Sequence, residues 1–260
     1  MNLKRALSRV IAEGWSWRRL VAAPPKGLRV LMYHAIGTEV PEDRKCLYNI
    51  PVSVFEQQVE ALASMAQATT ISLHKLAIDD EQLNLGITFD DGYRDNLCTA
   101  APILQKYQLP FSIFIVTESV KQNDPLFLSR SDIRALVNDC GANIGSHSAT
   151  HARLAECSDR RLKEELVSSK HFLEDLLGKE VSSISYPHGS VSLRVRDAAE
   201  EAGYRIGMTS CFGVNSAKTD TLLLDRIPVL APDNLRVFYQ KIYGDWDWNR
   251  WRFSKPRSGK

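Results

Sequence analysis

Short apolar runs alternate with amphipathic segments along most of the chain. Seven runs are rich in branched and aromatic residues and short enough to be buried strands. They lie at residues 29–33, 85–89, 110–116, 143–146, 181–186, 204–209 and 222–229. Between them, apolar residues recur at helical spacing near residues 51–66, 95–107, 131–140, 158–177 and 192–202. Strands that alternate with helices predict repeated βα units in a single α/β domain with a parallel sheet.

Two of the helical segments carry end signals. Ser53 and Glu56 have the spacing of a capping box at the start of the first segment. Ser158 is placed to cap the long fourth segment, and Gly178 is placed to end it in the left-handed conformation. These signals predict one helix that begins beside Ser53 and another that runs from Ser158 to Gly178.

Chemically capable side chains recur at one position, at or just past the end of a predicted strand. They are His34, Asp90, Asp91, His147, His188 and Arg226. In a βα barrel the carboxyl ends of the strands converge on one face, where active sites of that architecture form. The sequence therefore predicts that these side chains share one site.

The net charge of +2 hides an uneven distribution. Residues 1–30 hold seven basic side chains against one acidic one, and residues 241–260 hold six against two, so the body is weakly acidic. A nucleic-acid binder usually carries its basic stripe on the folded domain, which argues against that class. We divide the chain into a basic amphipathic segment at 1–28, a catalytic domain at 29–243 and an aromatic, basic tail at 244–260.

The sequence also bears on the compartment. It has no uninterrupted apolar run of signal-peptide or transmembrane length. Its five cysteines are odd in number and lack CxxC spacing, which suits thiols in a reducing compartment, so we expect a cytoplasmic protein. The amphipathic start and the tryptophan-rich tail suit peripheral contact with the inner face of an anionic membrane. They equally suit packing on the barrel or on a second subunit.

Two short motifs carry most of the candidate chemistry. In TFDDG at residues 88–92, one carboxylate can bind a cation while its neighbour acts on water, although a solvated acidic turn has the same pattern. His147 and His151 are four residues apart, so on a helical turn both can face one metal ion, and two surface histidines fit equally well. Two imidazoles and one carboxylate would leave positions open for water and substrate. Zn²⁺ is the first expectation, and Co²⁺, Ni²⁺ and Fe²⁺ fit the same donors.

The order of three motifs resembles the polysaccharide deacetylases of carbohydrate esterase family 4, the NodB-like group. TFDDG, SHSATHARL and SYPHG occur here where that family has TFDDG, H(S/T)xxHxxL and RxPxG, in the same order and at comparable spacing. The match covers roughly residues 29–229. It implies a distorted (β/α) barrel of seven or eight strands and a metal-dependent enzyme that removes acetyl groups from N-acetylated amino sugars.

The resemblance implies a role for each motif. Asp91, His147 and His151 would bind the metal ion. Asp90 would be the general base that takes a proton from the attacking water. The third motif would bind substrate or hold the oxyanion through a main-chain N–H; its residues are Tyr186, Pro187, His188 and Gly189.

Two departures from the family pattern bear on these roles. Ser185 occupies the arginine position of RxPxG, so Arg226 is the candidate to orient the base from another strand, although a surface arginine would look the same. No LxH motif, which supplies the catalytic acid in many members, follows the third motif. Instead Tyr33-His34 ends the first strand, as in the subgroup that includes poly-N-acetylglucosamine deacetylases. His34 is therefore the first candidate for the acid, and His188 is the second.

We expect the substrate to be an N-acetylated sugar or a lipid- or nucleotide-linked glycan precursor, used in surface polysaccharide synthesis. Two alternatives stay open from the residues alone. One is a metal-dependent amidase acting on a non-sugar acyl amide, since the barrel and the metal do not dictate what carries the acyl group. The other is a catalytically idle glycan-binding protein, against which the intact Asp90-Asp91 pair argues. The oligomeric state is also open.

Overall fold

Ten short strands make up the sheets of the described part of the molecule. The computed structural model describes residues 25–252, apart from 42, 66, 67, 71, 74 and 75. The strands are β1 (Gly27–Tyr33), β2 (Ala35–Ile36), β3 (Asn49–Ile50), β4 (Ala68–Thr70), β5 (Leu83–Phe89), β6 (Ser112–Ile115), β7 (Asn143–Ser146), β8 (Ser183–Ser185), β9 (Ile206–Met208) and β10 (Arg226–Pro228).

Eight of these strands form a parallel, nearly closed barrel. Their order is β10-β1-β5-β6-β7-β8-β9, and β4 pairs with the first half of β5. Before β10 begins, the chain runs beside β9: the Leu224 N–H donates to the Gly207 carbonyl at 2.8 Å, and the Thr209 N–H donates to the Leu224 carbonyl at 2.8 Å. The two ends of the sheet are thereby joined, and the prediction of a distorted (β/α) barrel with seven or eight strands is confirmed.

Seven α-helices accompany the strands in the described part of the chain. They are α1 (Val52–Ala63), α2 (Ala101–Lys106), α3 (Thr117–Lys121), α4 (Arg130–Asn138), α5 (Asp159–Leu177), α6 (Leu193–Glu201) and α7 (Leu235–Tyr243). Alternate residues of a strand point to opposite faces. On β1, Leu28 and Val30 therefore join Phe114 in a cluster of mostly strand residues, whereas Leu31 and Tyr33 pack in the larger cluster between strands and helices.

Helix ends were predicted with mixed success. The Ser158 side chain accepts a hydrogen bond from the Arg161 N–H, and Gly178 ends α5 at φ 65°, so both signals of the long helix are confirmed. The prediction of a capping box at Ser53 and Glu56 is wrong. The chain enters α1 directly after Pro51, with no side-chain cap, so Ser53 already lies in the first turn.

Several elements were missed, and others differ in detail. The short strands β2, β3 and β4 and the helices α3 and α7 have no counterpart among the predicted elements. The predicted helix at 95–107 is divided into a π-helical stretch (Asn96–Ala100) and α2. The predicted strands mostly overlap the observed ones, with shifts of a few residues at their ends.

The described part of the C-terminal tail packs on the barrel. Trp246 is buried in the main apolar cluster, and the Asp247 carboxylate accepts two hydrogen bonds, at 2.8 and 2.9 Å, from the guanidinium of Arg29 on β1. Residues 244–252 are thus continuous with the domain predicted to end at 243. Residues 1–24 and 253–260, which hold most of the predicted amphipathic segment and half of the tail, lie outside the described residues. Among the residues described, no helix has the length and apolarity needed to cross a membrane.

Candidate active site

Three potential metal ligands meet at the carboxyl ends of two strands. Asp91 follows β5, and His147 and His151 follow β7. One ligand atom from each residue lies within 4.8 Å of the other two. The Asp91 Oδ1 atom is 3.4 Å from the Nε2 atoms of both histidines. One carboxylate oxygen and two imidazole nitrogens at this spacing form a donor set that suits Zn²⁺ and related divalent ions.

His147 is held in the form that a metal requires. Its ring is buried, and Nδ1 lies 2.8 Å from the Ser185 carbonyl oxygen. Because a carbonyl only accepts, Nδ1 carries the proton and the lone pair of Nε2 faces Asp91. Burial lowers the pKa of His147 to about 3, against the opposing pull of the Asp90 charge. The imidazole is therefore neutral at physiological pH.

The two histidines are not on a helical turn, as their spacing suggested, but on a strained loop. Ser148 has φ 63° and His151 has φ 60°. The Ser148 hydroxyl accepts the His151 N–H at 3.1 Å, while the Ser146 hydroxyl accepts the Ser148 N–H at 3.1 Å. These local bonds hold the left-handed turns that bring both rings to one side.

A buried glutamate on α5 fixes the same loop from below. The Glu165 carboxylate accepts the N–H groups of Ala149 and Thr150 at 2.9 and 2.8 Å, and the Thr150 hydroxyl at 2.5 Å. Arg161 pairs with it at 2.6 Å. This side chain is fully buried, and nothing in the local sequence pattern marked it.

Asp91 is positioned by a tyrosine two residues later. Asp91 has φ 72°, a left-handed conformation that is uncommon outside glycine. The Tyr93 hydroxyl donates a hydrogen bond to its carboxylate, and the Tyr93 ring stacks on Phe127 at 5.1 Å between centroids. Burial raises the pKa of Asp91, and the nearby His34 and the Tyr93 bond oppose that rise.

Asp90 is clamped in its ionised form. The Arg226 guanidinium donates to both carboxylate oxygens at 2.7 Å, the bidentate geometry that makes the strongest such pairs. Burial alone would raise the pKa of Asp90, but the charge and the hydrogen bonds of the Arg226 guanidinium outweigh it and hold that pKa well below its usual range. The Asp90 Oδ2 atom lies 4.0 Å from His147 Nε2, beside the ligand cluster.

Ser185, at the position of the family's arginine, leaves room for this clamp. Its hydroxyl donates to Asp90 at 3.1 Å and accepts from Arg226 at 2.8 Å. The Arg226 Nε–H donates to the Thr209 carbonyl at 2.8 Å, which fixes the guanidinium plane. The guanidinium thus reaches the aspartate from β10 instead of from the end of β8.

His34 lies at the edge of the same cluster. The Asn96 side chain donates to the His34 carbonyl at 2.9 Å, which ties the end of β1 to the segment after the aspartates. Its charge lowers the pKa of both Asp90 and Asp91. Its Nδ1 atom is buried and has no hydrogen-bond partner within the described part of the chain.

The third motif presents its main chain and one imidazole to the site. The Tyr186 side chain points away, because it is buried and its hydroxyl donates to the Leu222 carbonyl at 3.0 Å. Pro187 is buried at the start of a 3₁₀ turn that Gly189 ends. His188 is exposed, with φ 57°, and its ring centroid lies 4.4 Å from that of His151. Burial, followed by the His151 and Arg153 charges, lowers its pKa.

Backbone strain is concentrated at this site. Of the seven non-glycine residues with positive φ in the described chain, four belong to the cluster. Such conformations cost of order 1–3 kcal/mol each and persist where surrounding contacts impose them, which is a common property of functional sites. The four residues are Asp91, Ser148, His151 and His188.

Known proteins are similar to this chain in sequence and in fold. The model of the polysaccharide deacetylase family matches residues 78–207. YxkH of Bacillus subtilis (strain 168), assigned by name to the polysaccharide deacetylases, is 28% identical over 211 residues, which are 79% of this chain and 72% of YxkH.

Two solved structures have the same overall architecture. The polysaccharide deacetylase BC0361 from Bacillus cereus is 26% identical with a TM-score of 0.73, over 84% of this chain and 69% of that one. The Streptococcus pyogenes deacetylase PplD, solved in complex with acetate, is 24% identical with a TM-score of 0.73, over 85% of this chain and 99% of that one. The likeness to PplD shows the fold.

Proposed function

This chain belongs to the polysaccharide deacetylase family of hydrolases, and from that premise we propose that it removes N-acetyl groups from an amino sugar with a divalent metal ion bound by Asp91, His147 and His151. The observation that carries the proposal is the pairing of these three donors with a neighbouring aspartate that Arg226 keeps ionised. A purely structural metal site has no use for a second, ionised carboxylate buried beside the ligands.

The donor set fits the implied metal. Three protein ligands leave coordination positions open, and the neutral His147 is ready to bind without losing a proton first. When bound, the ion would polarise the acetamide carbonyl and acidify water. Zn²⁺ is our first choice, with Co²⁺, Ni²⁺ or Fe²⁺ as metals that the same donors accept.

The protein's own groups divide the proton transfers. Asp90 would take the proton of the attacking water, while Arg226 and Ser185 hold its carboxylate in place. His34 would give a proton to the leaving amine, since it faces the cluster and its Nδ1 atom lacks a partner among the described residues. His188 is the second candidate, because its exposed ring lies beside His151.

The oxyanion would need a main-chain donor from the third motif. The Tyr186 N–H donates to Met208 and the Gly189 N–H donates to Tyr186, both to main-chain carbonyls. Pro187 has no N–H. The His188 N–H is therefore the donor we propose for the developing negative charge.

The Tyr33-His34 pair supports placement in the subgroup that includes poly-N-acetylglucosamine deacetylases. The N-acetylated unit would then belong to a surface polysaccharide or to its lipid- or nucleotide-linked precursor. A panel of N-acetylglucosamine oligomers, N-acetylated sugar nucleotides and non-sugar acyl amides, scored for acetate release, tests this assignment. Acetate released only from the non-sugar amides would make the chain an amidase of another class.

The ligand assignment is tested by removing each donor. Asp91→Ala, His147→Ala and His151→Ala should each lose zinc binding and acetate release together, whereas wild type should bind one equivalent of metal per chain. Metal content by mass spectrometry after dialysis is the measurement. A variant that keeps stoichiometric zinc would remove that residue from the site.

The base is tested separately from the metal. Asp90→Asn should retain zinc and lose turnover by roughly 10²–10⁴-fold, the usual contribution of general base catalysis. Circular dichroism must show a folded variant, because Asn is a poorer partner than Asp for the buried Arg226 guanidinium. Full activity in a folded, zinc-loaded Asp90→Asn protein would place the base elsewhere.

A further inference from the structure

An exposed aromatic side chain lies next to the catalytic cluster. Among the described residues, the large apolar side chains that are more than about a third exposed are Tyr48, at 38%, and Val52, at 37%. Both lie within five residues of each other, around the short strand β3. A tyrosine offers a ligand a large, flat apolar surface together with a polar tip, and here that surface lies beside the catalytic cluster.

The main chain at Tyr48 is fixed although its ring is exposed. The Tyr48 N–H donates to the Asp43 carboxylate at 2.6 Å. The Tyr48 carbonyl accepts the Ala35 N–H at 3.1 Å, and the preceding Leu47 carbonyl accepts the Ala231 N–H at 2.8 Å. The main chain that carries the ring is therefore held in place, which limits the entropy lost when a ligand covers the ring.

The ring also lies within reach of the reacting groups. Its centroid is 4.4 Å from that of His34, with the planes tilted by 46°. Burial and Asp43 raise the pKa of the Tyr48 phenol, and the Asp91 carboxylate adds to that rise. Tyr48 thus borders the proposed acid, and its side chain remains partly exposed to solvent.

A sugar ring is the ligand that this surface suits. One face of a pyranose presents C–H groups, while its hydroxyls point outward around the rim. An aromatic ring can cover the C–H face and leave the hydroxyls in water, and a tyrosine does so with its own polar tip still hydrated. A linear, non-sugar acyl amide has no such face to cover.

We propose that Tyr48 is the stacking platform for the pyranose ring that carries the scissile acetamide or for its direct neighbour in the chain. This inference rests on the proposed deacetylase function. It identifies Tyr48, a residue outside the three motifs, as a determinant of specificity for sugar substrates.

The test is steady-state kinetics of the zinc-loaded enzyme on N-acetylglucosamine oligomers. Tyr48→Ala should raise KM roughly five- to tenfold, the effect of losing one aromatic contact, with kcat within about twofold of wild type. Tyr48→Phe keeps the ring and should restore the wild-type KM. Tyr107→Ala, which removes a half-buried tyrosine between α2 and β6, on the barrel end away from the site, is the matched control and should change neither constant.

Three kinetic outcomes would overturn the inference, and a binding experiment adds a fourth. An unchanged KM in Tyr48→Ala, or a KM in Tyr48→Phe as poor as that in Tyr48→Ala, would show that the ring does not hold the sugar. A loss of kcat alone would show that Tyr48 supports His34 instead. Calorimetric binding of the same oligomers to zinc-loaded wild type and Tyr48→Ala separates the two proposals. Wild type that binds without releasing acetate defeats the deacetylase, whereas equal binding by both proteins defeats the platform.

Discussion

The pair of Arg226 and Asp90 is the residue-scale feature on which the proposed chemistry depends most. Both side chains are almost fully buried, so the carboxylate keeps its charge only because the guanidinium meets it in two hydrogen bonds of 2.7 Å. Removing one partner of a buried pair costs about 3–5 kcal/mol, because the other charge is left without a counterion. Arg226 therefore contributes to stability as well as to the position of the base.

A guanidinium should support Asp90 whether it comes from β10, as Arg226 does, or from the end of β8, where the family motif has its arginine. Arg226→Ser should lose about 3–5 kcal/mol of unfolding free energy and lower kcat by roughly 10²-fold or more, since the base is no longer oriented. Adding Ser185→Arg to that variant returns a guanidinium from the strand where the family motif has it. The double variant should recover a large part of both losses, measured by urea unfolding and initial rates.

The single Ser185→Arg variant is the control for this cycle. With Arg226 still present, two guanidiniums would compete for one buried carboxylate, so the single variant should be less stable than wild type. If the double variant is no better than Arg226→Ser alone, the two positions are not interchangeable and the explanation for the missing motif arginine fails.

The residues of the cluster could be predicted from the sequence, but their conformations could not. His34, Asp90 and His147 each follow a strand, and a parallel barrel brings strand ends together whatever the details. The left-handed backbone of Asp91 and His151 is different, since Asp and His adopt that conformation more often than most residues but still at a small minority of their positions. At His151 the local hydroxyls of Ser146 and Ser148 hold it, and Glu165, which is distant in the sequence, fixes the main chain at residues 149–150.

At the scale of elements, α5 acts as the support of the metal-binding loop. Its helical length followed from local signals, namely the Ser158 cap and Gly178. The role of Glu165 did not, because a glutamate on a long amphipathic helix is ordinarily solvated. Only the structure places it under residues 149–150, accepting two main-chain N–H groups.

Glu165→Gln should weaken metal binding while the barrel remains folded. The Ala149 and Thr150 N–H groups both donate to one carboxylate oxygen, Oε2, which an amide oxygen replaces without the negative charge. The NH₂ group would then face the Thr150 hydroxyl and the Arg161 guanidinium, so the ion pair that holds this side chain is lost. Loss of such an outer support typically lowers metal affinity 10–100-fold. Zinc affinity is measured by competition with a chromogenic chelator, and the melting temperature of the metal-free proteins is recorded alongside.

Glu164→Gln is the matched control for this experiment. Glu164 is the adjacent residue on α5, and its side chain is 48% exposed and pairs with the exposed Arg160. Its neutralisation should leave zinc affinity unchanged, because an exposed pair of this kind contributes little. Equal affinities in the two variants would mean that the loop holds its shape without Glu165.

At the scale of the whole molecule, the strand that closes the barrel also brings Arg226 to Asp90. The alternation of strands and helices was enough to predict a parallel sheet, and the family resemblance implied that this sheet forms a barrel. The alternation could not predict how the sheet closes, because residues 221–225 form a 3₁₀ turn and an irregular stretch before β10 begins at Arg226. That stretch pairs with β9, and β10 pairs with β1. Arg226 therefore lies at the seam, by which we mean the junction of residues 222–226 with β9 where the barrel closes.

Gly207 is the residue that lets the seam close. A Cβ atom there would lie 2.4 Å from the Leu222 carbonyl oxygen and 2.5 Å from the Tyr186 hydroxyl. Gly207→Ala should therefore push residues 222–226 away from β9 and cost about 1–3 kcal/mol, as overpacking does. Since Arg226 follows four residues after Leu222, kcat should fall along with stability.

Gly178→Ala is the control that separates the loss of stability from the loss of turnover. A Cβ atom at Gly178 would meet nothing within 4 Å, but its φ of +65° is strained for any other residue, at a cost of roughly 1–2 kcal/mol. Both variants should thus unfold at lower urea concentrations, and only Gly207→Ala should lose turnover at a temperature where both are fully folded. Equal kcat values in the two would mean that the seam can shift without moving Arg226, and the link between barrel closure and the ionised base would be broken.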